Sequence, residues 1–325
     1  MNRRVKTLIW AITTACNCKC SMCAMWRKPP KFINEKKWTS VLKYSLINKV
    51  YAVSLTGGEP FLHPDIFRIV KLSKEMGFRI HIPTNGKLLN ENTIRKIKST
   101  GVDLLTVSLD HFEEFVHDKI RNSPGSFKMA LKGIEKCKKA GINVVVTTVI
   151  NKFNVHRIEE HVKFVTEKLD VPLGFCFPSL SPTEEFFVSH SDTVELHKND
   201  LIRCFKRIIK LKKSGKEIYN TTQFLMEAIN YLRGKPVSRC LAGKRVFYCN
   251  WEGKIFPCFN KSTLGNYNSL WKKDMKNCND CFIQCFREPS IVYQHPIKCL
   301  IEIRRILSLS LIHISEPTRL GMISY

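Results

Sequence analysis

The chain has 325 residues, 44% hydrophobic and 25% charged, so it can bury a sizeable core without disulfide staples and is not disordered. Lys and Arg number 53 against 28 Asp and Glu. The net charge of +25 leaves room for an anionic partner such as RNA, a phosphorylated substrate or an acidic electron-transfer protein, although a plain lysine-rich surface would give the same balance. Residues 1–10, "MNRRVKTLIW", lack the long apolar run of a signal peptide, and no stretch is long enough to cross a bilayer. A cytoplasmic protein is expected, in which clustered cysteines serve metals or catalysis rather than disulfides.

In chain order, the first β-rich run is 5–12. It leads into "TTACNCKCSMCAMW" (13–26), which holds Cys16, Cys18, Cys20 and Cys23. Disulfides, a zinc site or an iron–sulfur cluster would each account for such a loop. A helix over 34–47 follows, with Trp38, Leu42 and Leu46 on one face. The next strand is 50–56, ending in "GGEP" (57–60). A helix over 65–77 opens at Asp65 and closes on Gly77. Strand 78–84 ends in Thr84-Asn85-Gly86, and strand 102–109 in Ser108-Leu109-Asp110. A helix over 126–141 precedes strand 142–150, which ends near Thr147, Thr148 and Asn151. A helix over 154–169 precedes strand 171–177.

Near-continuous apolar, β-branched runs suit parallel strands buried on both faces. Six strand–helix units predict an α/β fold, a partial (β/α)6 TIM-like barrel short of the usual eight. In such barrels function collects at the C-terminal ends of the strands. The cysteine loop, Gly57-Gly58-Glu59, Thr84-Asn85, Ser108 with Asp110, and Thr147 with Asn151 all fall there.

Beyond residue 180 the alternation stops. Loop 179–193 runs past the last strand, and helices are expected over 193–213 and 221–233. Residues 1–180 are thus read as the barrel, 181–235 as a helical connector and 236–300 as a small cysteine-rich domain. In the last, Glu252-Gly253 predicts a hairpin turn that brings Cys258 beside Cys240, and Cys278 and Cys281 add a second pair. Cys285 is a substitute ligand, and four-thiolate zinc is the competing reading of this group. Cys137, Cys176 and Cys204 lie apart and read as small core residues. Residues 309–319, "LSLIHISEPTR", match the in-frame translation of a transposase adapter used to build sequencing libraries, so 309–325 is expected to be an artefact.

The chemistry of the first loop follows from its spacing. Cys16-x3-Cys20-x2-Cys23 offers three thiolates, enough for three irons of a four-iron cluster with the fourth open. Gly57 and Gly58 let backbone groups approach a ligand closely, and Glu59 supplies an acceptor for an ammonium. Cys18 fits neither a zinc nor an iron–sulfur scheme.

The stretch "CNCKCSMC", followed in order by "TGGEP", "PTNG" and "VSLD", resembles the radical S-adenosylmethionine (radical SAM) enzymes over residues 5–180. The resemblance implies that Cys16, Cys20 and Cys23 hold a [4Fe–4S] cluster whose open iron binds SAM. It implies that Gly57, Gly58 and Glu59 meet the methionine amino group, and that Thr84, Asn85, Ser108 and Asp110 lie near the SAM or substrate pocket. Arg121, in "HDKIRNSPGSF" (117–127), is a further polar contact. Ala11 stands where many relatives carry an acidic residue. The implied reaction is one-electron cleavage of SAM to a 5′-deoxyadenosyl radical that abstracts hydrogen from a peptide or small-molecule substrate.

The C-terminal pattern, Cys240-x12-Gly253-x4-Cys258, is similar to SPASM or twitch modules. These imply one auxiliary [4Fe–4S] cluster, on Cys240, Cys258, Cys278 and Cys281. A flavodoxin or ferredoxin is the expected electron donor. An RNA-modifying radical SAM enzyme is the first alternative, and a non-catalytic zinc protein that binds nucleic acid is the second.

Overall fold

The computed structural model describes residues 6–269, 271, 278–299 and 302. The adapter-like segment 309–325 lies outside the described residues. All six expected strands form: β1 (Lys6–Thr13), β2 (Val50–Gly57), β3 (Arg79–Thr84), β4 (Leu104–Ser108), β5 (Val144–Val149) and β6 (Leu173–Cys176). Between them run α1 (Glu35–Ile47), α2 (Ile66–Glu75), α3 (Glu91–Thr100), α4 (Glu114–Arg121), α5 (Ser126–Lys139) and α6 (Ile158–Lys163). Each strand pairs in parallel with the next, and the sheet order is sequential from β6 back to β1. A sequential order has no point at which the winding reverses. Right-handed crossovers then put every helix on the same face, and the twisted sheet curls with its other face inward. This is the α/β partial barrel expected.

Alternation along the strands sorts side chains between helices and interior. Leu8, Trp10 and Ile12 of β1 pack outward with Trp38, Val41 and Leu42 of α1. Ile9 and Ala11 point the other way. One expected contact fails: Leu46 is 51% exposed. At 100° per residue the buried face of α1 drifts from Trp38 and Leu42 to Ser45, whose hydroxyl donates to Val41 O at 2.7 Å. Asp65 does not cap α2 with its side chain; it accepts from Arg68 and Trp38 instead. Helices α3 and α4 were not expected.

After β6 come α7 (Lys198–Lys213) and α8 (Thr222–Leu232), then β7 (Val246–Cys249), β8 (Lys254–Phe256), β9 (Gly265–Asn266) and α9 (Gln284–Gln294). The expected hairpin is β7–β8, with Gly253 at φ 80° in its turn. Its position was not expected. β7 pairs in parallel with β1, from Thr7 opposite Val246 to Trp10 opposite Cys249. The cysteine-rich region therefore continues the barrel's own sheet.

The opposite edge, β6, is covered by segment 217–220. Leu173 N donates to Glu217 O at 2.9 Å, and Tyr219 N to Leu173 O at 2.8 Å. Buried Asn220 completes the edge with its side chain: Oδ1 accepts from Phe175 N at 2.6 Å, while Nδ2 donates to Phe175 O and to Glu288 Oε2. An unpaired edge strand is thereby satisfied. Among the described residues, no helix is long and apolar enough to cross a membrane.

Asn220→Ala strands the amide and carbonyl of Phe175 in the interior. It is expected to lower stability by about 1–3 kcal/mol. A lower urea midpoint with unchanged slope would show this; an unchanged midpoint would assign the edge no energetic role.

Candidate functional site

The cysteine loop leaves the C-terminal end of β1 and is pinned on several sides. Cys23 N donates to Cys20 O at 3.2 Å, Trp26 Nε1 to the same oxygen at 2.9 Å, and Lys19 N to Arg121 O at 3.2 Å. Asn17 accepts from Asn85 Nδ2 at 2.7 Å and, through its carbonyl, from Lys87 Nζ at 3.1 Å. Cys20 is buried, while Cys16 and Cys23 are half-buried. Burial pushes the Cys16 thiol up to about 12 and raises Cys20 and Cys23 as well. Three thiols so shielded from water need a cation to hold them deprotonated.

Three thiolates in the first loop suit a four-iron cluster with one iron left open. Thiolates around zinc sit about 2.3 Å from the metal, so their sulfurs lie roughly 4 Å apart. Among the described residues, the one His/Cys/Asp/Glu group whose donor atoms all lie within 4.8 Å is the exposed trio His190, Asp192 and Glu195. Neither cysteine group is that tight.

Gly57 and Gly58 also have a reason within the chain itself. A Cβ on Gly57 would lie 2.2 Å from Thr13 O, and one on Gly58 2.0 Å from Ala15 O. Gly57 also has φ 133°. These glycines make room for the backbone of the cysteine loop. Gly58 N donates to Thr13 O and Glu59 N to Ala15 O, both at 2.8 Å. Glu59 is buried; its carboxylate accepts from Thr84 Oγ1 and Asn85 N at 2.8 Å and from Phe61 N at 3.2 Å. Burial still pushes its pKa up to about 7. Thr84 and Asn85 thus converge on Glu59.

Asp110 is fully buried. Its Oδ1 accepts from Val149 N at 2.9 Å and its Oδ2 pairs with Arg121 at 2.7 Å. Arg121 in turn lies 3.8 Å from Cys20 Sγ. Ser108, half-buried at the end of β4, makes no side-chain hydrogen bond among the described residues. Thr148 and Asn151 serve the scaffold: Thr148 donates to Leu109 O, and Asn151 closes its own turn.

In the second group, Cys240 and Cys258 are buried and Cys278, Cys281 and Cys285 are half-buried. Burial first, then the neighbouring thiols, pushes Cys258 up to about 12; Cys240, Cys258 and Cys281 each feel Cys278. Cys285 is raised well above its ordinary value by burial and then by Cys176, Cys281 and Cys258. Its thiol thus feels Cys176 as well as the group. Cys137 and Cys204 are core residues as expected, but Cys176 is half-buried at the end of β6, within reach of Asp110, Glu288 and Arg121.

A segment that carried no legible signal joins the two groups. Cys23 and Phe187 form a β-bridge, and Ala24 N donates to Phe186 O at 3.0 Å. Phe186 stacks on Phe259 at 4.6 Å, next to Cys258, and Thr183 Oγ1 donates to Phe259 O at 2.7 Å.

Residues 10–165 match the model of the radical SAM superfamily. These residues form a radical SAM domain. It is 28% identical over 280 residues to an AdoMet-dependent heme synthase of Methanosarcina barkeri, covering 79% of this chain and 78% of the relative. It is 27% identical over 154 residues to the sporulation killing factor maturation protein SkfB of Bacillus subtilis, covering 47% and 37%. SuiB of Streptococcus suis, solved with S-adenosylmethionine, shares the fold at a TM-score of 0.66 and 17% identity, covering 91% of this chain and 67% of SuiB. The protein is therefore a radical SAM enzyme, and the family implies SAM and a [4Fe–4S] cluster. The radical SAM motifs account for the first cysteine group. They give no signal for Phe186 and Phe187, which act by packing.

Gly58→Ala drives a methyl into the carbonyl of Ala15. Less iron is expected to be retained after anaerobic reconstitution, with the far-UV circular dichroism unchanged. Full iron retention would remove the link between these glycines and the loop.

Proposed function

We propose that Cys16, Cys20 and Cys23 hold the [4Fe–4S] cluster of this radical SAM enzyme and that Glu59 receives the ammonium of SAM. Bound together, cluster and SAM supply reductive cleavage and with it hydrogen-atom abstraction from substrate. The chain's own residues set the stage. Gly57 and Gly58 keep the loop seated on β2. Thr84 and Asn85 orient the Glu59 carboxylate. The Asp110–Arg121 pair places a buried cation beside Cys20, where it lowers the cost of thiolate charge. Ser108 sits on the rim where a ligand group can reach it.

We further infer an auxiliary [4Fe–4S] cluster on Cys240, Cys258, Cys278 and Cys281, with Cys285 as the substitute ligand. The observation that carries this reading is the parallel pairing of β7 with β1, which brings the second thiol group onto the same sheet as the first. The proposed substrate is a peptide. SkfB is named as a maturation protein, and SuiB is recorded bound to its precursor peptide SuiA. A small molecule is the second reading, favoured by the heme synthase relative that aligns over most of the chain. The electron donor is proposed to be an acidic flavodoxin or ferredoxin, matched to the +25 charge.

Cys16→Ala is expected to abolish 5′-deoxyadenosine formation under strong reductant while part of the iron and sulfide remains in the second group. Loss of all iron would argue against two separate clusters; continued SAM cleavage would remove Cys16 from the site. Wild-type protein carrying zinc and no sulfide would overturn both cluster assignments.

Reduction by an acidic donor protein is expected to slow steeply as salt rises, because screening shortens the reach of surface charge. Stopped-flow reduction rates that ignore ionic strength would exclude an electrostatically guided donor.

A further inference from the structure

The interior of this barrel is not filled as barrel cores usually are. Inward positions in parallel barrels are dominated by bulky branched apolar residues packed in layers. Here alternation sends Val53 and Leu55, Ile80 and Ile82, and Leu105 and Val107 outward into the apolar core. Their neighbours Ser54, His81 and Thr106 point inward. Ser54 and His81 sit mid-strand, yet both remain partly accessible to water.

These three side chains form a relay across β2, β3 and β4. Ser54 Oγ lies 2.9 Å from His81 Nδ1, and His81 Nε2 lies 2.9 Å from Thr106 Oγ1. Burial pushes the His81 pKa down to about 4, so the ring is neutral near pH 7. A neutral imidazole has one donor nitrogen and one acceptor nitrogen. One hydroxyl therefore gives its proton to the ring, and the other receives from the ring and keeps its own. Among the described residues the ring is the only side-chain partner of either hydroxyl. The spare O–H and the spare lone pairs are left for the interior. Thr106 is buried, and a buried polar group is costly unless something pairs with it.

Ala52, Thr147 and Cys176 also occupy inward positions. The cations at the two ends of this wall are already paired: Arg79, two residues before His81 on β3, with Asp103, and Arg121 on the rim with Asp110, each at 2.7 Å. A carboxylate or phosphate entering here would lose its water without gaining a counter-charge. An amide or hydroxyl can instead donate to the relay or accept from it, and a change of imidazole tautomer reverses which hydroxyl does which.

We propose that Ser54, His81 and Thr106 are the substrate's polar contact inside the barrel, and that they select an uncharged hydrogen-bonding group, an amide or a hydroxyl, over a carboxylate or phosphate. This rests on the proposed function, since it takes the barrel interior as the place where substrate is held.

The test uses acetamide and acetate, which match in shape and differ in charge, added to the 15N-histidine-labelled full chain. His81 is assigned by the signal lost in His81→Gln. Acetamide is expected to shift the His81 ring resonances and acetate to leave them unmoved. Ser54→Ala and Thr106→Val should each weaken the acetamide response about fivefold, the loss of one neutral hydrogen bond. An equal response to both probes would overturn the selectivity, and no response to acetamide in wild-type protein with a neutral His81 ring would overturn the contact. Unchanged thermal midpoints in the two variants keep a weakened response from being read as unfolding. Because SAM cleavage is measured separately, a protein that forms 5′-deoxyadenosine yet fails this test loses the relay alone.

Discussion

Two backbone hydrogen bonds hold this molecule's chemistry in register. Gly58 donates to Thr13 and Glu59 to Ala15, each at 2.8 Å, and they tie the end of β2 to the loop that carries Cys16, Cys20 and Cys23. The approach is so close that neither glycine can take a side chain. From that contact the rest of the rim follows. Glu59 is carried inward, where Thr84 and Asn85 close on its carboxylate. Asn85 reaches back to Asn17 in the same loop. The rim is thus one connected hydrogen-bonded surface, in which a displacement at the glycines propagates to the thiols.

The barrel was legible because its strands are long apolar runs and its motifs sit at their ends. All six strands lie where the runs placed them, and the site motifs reach one rim. What was illegible has physical reasons. Helix α3 buries only Ile94 and Ile97, too thin an apolar stripe for a periodic signal. Helix α9 contains Pro289, which normally argues against a helix interior. Leu46 was misplaced because a stripe read at every fourth residue slips off the true face by its third member. The glycines are points of close approach, and one neighbour there is the chain's own backbone. No local pattern can reveal that, because it depends on a partner far away in sequence.

The two cysteine groups show the same limit. Each is plain in the sequence. Their relation is not, since it is made by Phe186, Phe187 and Phe259, ordinary aromatics in an ordinary loop. Phe186 stacks on Phe259, Phe187 meets both edge-on, and the Phe187 backbone bridges to Cys23. Such packing transmits strain because close-packed side chains have few alternative arrangements. Cys176 is the converse case: a cysteine that looked isolated feels burial first and then the charge of Asp110, and it adds to the rise of the Cys285 thiol.

The pairing of β7 with β1 also has a consequence for how the protein is made. β1 leaves the ribosome long before its outer neighbour, which begins at Val246. At typical synthesis speeds of about 5–20 residues per second, that edge waits roughly 10–50 s for its partner. During the interval Leu8 through Ile12 present an apolar strand with one side unsatisfied, which invites pairing with other nascent chains. That edge closes only when Val246–Cys249 arrives.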